Sequence, residues 1–106
     1  MDSLILVDWI YNRPRPLDDV TPTAIAGAFG LPIYETKTAP WDLVHTGGNY
    51  MSDGFGTAFS STLTVAENTT KTVAQIDTIM KRFMGINRYI KLPTLPYDGI
   101  HHIDMH

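Results

Sequence analysis

The chain has 106 residues, with 8 basic and 11 acidic side chains and a net charge of −3. That size fits one domain and excludes a second large one. With 43% hydrophobic and 18% charged residues it is composed for burial rather than disorder.

The mild acidity argues against nucleic acid as a main partner, since phosphate binding needs a basic face. The absence of cysteine removes a disulfide framework, a zinc ribbon, an iron–sulfur cluster and a cysteine nucleophile from this chain. The longest apolar-leaning stretch, residues 4–10, is interrupted by Asp8 and is far too short to span a bilayer. The opening Met1-Asp2-Ser3 lacks the basic region of a secretory signal, and no membrane partner is expected.

Residues 3–11 are rich in β-branched and aromatic side chains and predict a buried strand. The strand runs into Asn12-Arg13-Pro14-Arg15-Pro16, where two prolines predict extended backbone close to polyproline II. Asp18 and Asp19 precede Thr21-Pro22, a plausible N-cap with proline at the first helical position. A short helix then runs to Phe29, and Gly30 is placed to end it.

Residues 31–36 predict a second strand, followed by a turn around Pro40. Residues 43–65 predict a hairpin, with Ser52-Asp53-Gly54 as its turn. Thr72 and Gln75 have the spacing of a capping box, and Val73, Ile76, Ile79, Met80, Phe83 and Met84 line one face of the helix that follows. Gly85 closes that helix. A strand at 88–92 and a last strand at 100–105 complete an α/β alternation. The final strand ends at His106 with nothing to cover it, so the expectation is a truncated parent or an oligomer.

The densest set of functional side chains is Ile100-His101-His102-Ile103-Asp104-Met105-His106. On a strand, His102, Asp104 and His106 share one face. Three readings follow: a His–carboxylate pair for acid–base work, a metal site, or a solvated strand edge. The metal reading is the weakest, because three ligands crowded on one terminal strand have poor geometry.

The glycine-rich run from Gly47 to Thr57 is not a phosphate cradle: it has no P-loop lysine and no helix after a third glycine. A bulged hairpin explains Gly54 better than it explains Gly47-Gly48. Arg13 and Arg15 hang from stiffened backbone, which suits carboxylate or phosphate recognition; an exposed loop is the plainer reading. Asn68-Thr69-Thr70 fits the glycosylation triplet, a pattern too short to carry weight.

Three strings together carry a resemblance. Asp8-Trp9-Ile10-Tyr11-Asn12-Arg13-Pro14-Arg15-Pro16, His45-Thr46-Gly47-Gly48-Asn49-Tyr50-Met51-Ser52-Asp53-Gly54 and His102-Ile103-Asp104 resemble, in order, the Porphyromonas-type peptidyl-arginine deiminases. These are related to the agmatine deiminases among the guanidino-modifying, or pentein, enzymes. The resemblance covers essentially the whole chain. It implies a five-bladed α/β propeller of ββαβ units, of which this chain supplies about two blades: a single partial pentein domain, 1–106, of a larger catalytic domain.

The implied chemistry is hydrolysis of a guanidinium to a ureido group with release of ammonia, as in arginine to citrulline. A cysteine thiolate attacks the guanidinium carbon, a histidine acts as acid and base, and carboxylates grip the guanidinium nitrogens. By the resemblance, His102 is the general acid–base and Asp104 the guanidinium ligand. Gly47, Gly48 and Asn49 lie against the substrate, and Arg13 and Arg15 hold the carboxylate of a C-terminal arginine.

No cofactor and no metal are implied. The substrate is an arginine peptide or an agmatine-like compound. Thr46 stands where the agmatine branch has glutamate before its double glycine, which favours the peptidyl-arginine branch. The family's upstream aspartate motif and catalytic cysteine are missing, so the chain alone is expected to be inactive. Alternatives are a non-catalytic, oligomerising binding module on the same scaffold and a metal site at His101, His102, Asp104 and His106. Isolated blades leave apolar faces such as Leu4, Ile5 and Leu6 partly uncovered, so a homo-oligomer is expected.

Overall fold

The computed structural model describes residues 4–106. Ser3, the first residue of the expected opening strand, lies outside the described residues. Among the described residues, six strands form two three-stranded sheets.

In the first sheet, β1 (Leu6–Tyr11) is central, with β2 (Ile33–Thr36) and β3 (Val44–His45) parallel to it on either side. The β1–β2 connection contains α1 (Pro16–Asp19) and α2 (Thr21–Phe29), as a parallel crossover requires. The second sheet has the order β4 (Met51–Ser52), β5 (Thr57–Ser61), β6 (Arg88–Leu92). There β4 and β5 are antiparallel, while β5 and β6 are parallel. Between β5 and β6 lie α3 (Leu63–Glu67) and α4 (Val73–Met84), giving a ββαβ order.

The local chemistry explains most of these elements. Thr72 and Gln75 form a reciprocal capping box at the start of α4, and Gly85 ends the helix in the left-handed conformation at φ 67°. Gly30 ends α2 in the same way at φ 63°, where any side chain would be strained. The β4–β5 turn is held by Asp53, whose Oδ1 accepts from the N–H groups of Phe55 and Thr57 at 2.7 and 3.1 Å. The core joins both sheets: Leu43, Ala58, Ile76, Ile79, Met80 and Ile86 are buried together, with Trp9, Trp41, Tyr50 and Phe83 packed against them.

Four sequence expectations are corrected. Pro16 does not continue an extended segment but opens α1, where its missing N–H costs nothing. Thr21 is not an N-cap: it lies inside α2, and its hydroxyl donates to the Leu17 carbonyl at 3.0 Å.

Residues 43–65 are not one hairpin. Val44 and His45 pair with β1 instead, and only 51–61 form the hairpin. The chain turns helical at Thr62, whose carbonyl accepts from both Val65 and Ala66. Finally, residues 100–105 are not a strand. His101 has φ 65°, and Ile103–Met105 form a 3₁₀ turn. Ile103 N–H bonds the Asn49 side chain at 2.9 Å, so it is not available to a ladder.

Candidate active site

Two tight turns meet at the end of the first sheet. One is the 3₁₀ turn Gly47–Asn49, which follows β3, and the other is Ile103–Met105. Asn49 fastens them together. It is fully buried, and its Oδ1 accepts from Ser61 N–H and Ile103 N–H, each at 2.9 Å. Its Nδ2 donates to Thr64 Oγ1 at 3.0 Å, and its carbonyl accepts from the Ser60 hydroxyl at 2.5 Å. The Ser61 hydroxyl donates to the His101 carbonyl, fixing the backbone just before His102.

This clasp presses Gly48 against the His–Asp pair. A Cβ on Gly48 would stand 2.6 Å from His102 Nδ1 and 3.1 Å from Asp104 Oδ2. The first is shorter than real Cβ contacts allow, so a side chain at position 48 requires the imidazole to move. The same measure leaves Gly47 in open space; Gly47 instead lines a neighbouring cleft. His102 is half-buried, with its Nε2 unpartnered, and Asp104 is exposed. A half-buried imidazole beside a solvated carboxylate can exchange protons with a bound group, and the carboxylate can accept N–H donors in fork geometry.

The structure thus brings together Gly48, Asn49, His102 and Asp104. His102, Asp104 and His106 do not share a strand face, because the segment is coiled; His106 Nε2 lies 2.8 Å from the Pro93 carbonyl. Among the described residues, no three His, Asp or Glu side chains converge as metal ligands. Arg13 and Arg15 are exposed on the β1–α1 connection. Arg15 lies 3.8 Å from Asp18, and among the described residues no hydrogen bond or ion pair joins either arginine to His102 or Asp104. The amide of Asn68 is committed to Val44 and Thr64, which gives this residue a structural role.

One residue of the site was not assigned from sequence: His45. It is 1% exposed, edge-on to Trp9 at 5.2 Å and to Tyr50 at 6.1 Å. Its Nε2 lies 3.3 Å from Tyr89 Oη, and its Nδ1 has no partner. Burial, with a smaller effect from neighbouring His102, lowers its pKa to about 4; it is neutral at pH 7. The signal was present in the sequence: His45 stands two residues before the double glycine at the end of an apolar run. His45 also walls an open cleft of about 420 Å³, with Asp8, Trp9, Asp18, Asp19 and Gly47.

The fold matches solved deiminase structures. A candidate agmatine deiminase superposes at a TM-score of 0.81 with 24% identity, over 96% of this chain and 31% of that one. The C. jejuni agmatine deiminase gives 0.73 and 25%, over 96% and 29%. A candidate peptidyl-arginine deiminase gives 0.64 and 20%, over 83% and 28%.

This chain therefore spans about a third of the length of the structures it matches. No family model matches the sequence. The class these likenesses define is the mixed α/β pentein fold of the agmatine deiminases.

Proposed function

We propose that this chain is a partial pentein domain, about two ββαβ blades of five, from a guanidino-group hydrolase of the peptidyl-arginine and agmatine deiminase kind. The observation that carries the reading is the packing of Gly48 on His102 and Asp104, with a virtual Cβ 2.6 Å from the imidazole. A glycine there lets an acid–base group and a carboxylate sit together against bare backbone. A guanidinium is planar, permanently charged and rich in N–H donors, so it suits an exposed carboxylate beside an imidazole. The C. jejuni enzyme has also been solved as a cysteine-to-serine variant with substrate bound.

In this reading Asp104 accepts from the guanidinium nitrogens. His102 gives a proton to the departing ammonia and then takes one from the attacking water. Asn49 is a positioning residue that holds both turns in place. The thiolate that would attack the guanidinium carbon must come from outside these residues, because the chain has no cysteine. Arg13 and Arg15, exposed on the β1–α1 connection, would receive the carboxylate of a C-terminal arginine; the 3.8 Å contact of Arg15 with solvated Asp18 is weak enough to exchange.

The test is calorimetric titration of the chain with agmatine and with a peptide ending in arginine. Saturable binding without ammonia release is expected, lost in Asp104→Asn. Heat from neither ligand would sink the reading.

A second reading, a non-catalytic oligomerising module, draws on apolar side chains left in solvent, among them Leu17 at 83% and Phe29 at 75% exposed. Light scattering that finds a discrete oligomer without ligand binding would favour it.

A further inference from the structure

Two adjacent residues at the end of α3 hold the two strands that lead into the site. Asn68 holds β3: its side chain accepts from Val44 N–H at 2.8 Å and donates to the Val44 carbonyl at 2.9 Å. Glu67 holds the chain just past β1: its Oε2 accepts from Asn12 Nδ2 at 3.0 Å, across 55 positions of sequence. The two strands are paired there, Ile10 with Val44 and Tyr11 with His45. Beyond β3 the chain enters the turn that packs on His102 and Asp104, and beyond Asn12 it enters Arg13-Pro14-Arg15. The end of α3 therefore sets where the arginine loop stands relative to that turn.

The loop is stiff within itself. Arg15 N–H donates to the Arg13 carbonyl at 2.8 Å, closing a three-residue turn at Pro14. The Arg15 carbonyl in turn accepts from Asp19 N–H at 3.0 Å, at the start of α1. Such a unit moves as one piece, so the direction of both guanidinium groups depends on its anchors, and Asn12 is the anchor at its N-terminal side. Among the described residues Arg13 has no ion-pair partner, and Arg15 has only Asp18 at 3.8 Å. The anchor itself is incompletely satisfied: Asn12 Oδ1 and Glu67 Oε1 are buried without partners. Unsatisfied buried acceptors cost stability and call for a reason other than holding the fold.

We propose that Glu67 is a positioning residue for substrate choice. Through Asn12 it sets the direction in which Arg13 and Arg15 present their guanidinium groups, so that a free C-terminal carboxylate is recognised along with the guanidinium. This rests on the peptidyl-arginine reading of the two arginines. Because Glu67 acts through the loop and touches no substrate, its effect falls mainly on ligands that carry a carboxylate.

The experiment is calorimetric titration of the full chain with glycylglycylarginine, with the same peptide amidated at its C-terminus, and with agmatine. The unmodified chain should prefer the free acid to the amide about tenfold. Glu67→Ala should lower that preference about threefold, with a smaller loss for agmatine than for the acid. Glu67→Gln, which keeps an oxygen to accept from Asn12, should retain the preference. Asn12→Ala should match Glu67→Ala, and the double variant should lose no more than either; if Glu67→Ala fails to fold, Asn12→Ala decides. Equal losses for all three ligands, or an unaltered acid preference, would overturn the proposal. An unmodified chain that binds agmatine without preferring the acid overturns it while leaving the His102–Asp104 site standing, whereas one that binds none of the three sinks the hydrolase reading as well.

Discussion

Gly48 and His102 are in contact so close that a single methyl group cannot come between them: a Cβ at position 48 would lie 2.6 Å from His102 Nδ1. The contact ties the identity of one residue to the orientation of another more than fifty positions away. Gly48→Ala should therefore cost about 1–3 kcal/mol through overpacking and rotate the imidazole. Urea unfolding would measure the first effect and the His102 ring resonances the second. An alanine variant with unchanged stability and an unchanged His102 spectrum would contradict the geometry.

Asn49 should matter more for stability than its neighbours. It is fully buried and bonds Ser60, Ser61, Thr64 and Ile103. Asn49→Ala leaves several of these groups without partners, at about 1–3 kcal/mol for each buried group left unsatisfied. Amide exchange at Ile103 should accelerate in parallel, because its partner is gone.

His45 predicts a pH dependence. Its pKa is held down to about 4, from 6.5 when exposed, first by burial and then by His102. Above the unfolded value both states are neutral and stability is flat. Between the two values the unfolded chain takes up the proton first, so stability falls as pH drops and levels off below the folded value. The loss from pH 7 to 4 is about 3 kcal/mol. Urea midpoints across that range should show it, and His45→Phe should flatten the slope.

The cap of α4 offers a local test. Thr72 accepts from Gln75 N–H at 3.2 Å while the Gln75 side chain accepts from Thr72 N–H at 2.8 Å. Thr72→Ala should cost about 1 kcal/mol, measured by thermal unfolding, with no effect on ligand binding.

What could be read in the sequence was what local chemistry decides. Thr72, Gln75 and Gly85 mark the ends of α4, and β6 occupies the expected residues 88–92. The failures lie where a distant group overrules a local pattern. The alternation of 100–105 looks like a strand, but the Asn49 side chain takes the Ile103 N–H and Ser61 holds the His101 carbonyl. Val44 and His45 look like the start of a hairpin, yet Asn68 bonds both the N–H and the carbonyl of Val44 while β1 pairs alongside. The place of His45 before the double glycine is legible, but its contact with Tyr89, on a strand of the other sheet, is not. The nearness of Gly48 to His102 and Asp104 could be inferred only through the family resemblance; spacing alone does not encode it.

The most direct measurement is ammonia release by the product of the source gene read in frame beyond His106, assayed with agmatine and with an arginine peptide. A downstream cysteine, ammonia release from a guanidino substrate, and a loss of about 10²–10⁴-fold in His102→Ala with the fold intact are expected. Undiminished ammonia release from the well-folded His102→Ala protein would contradict it, and so would a stop codon directly after His106.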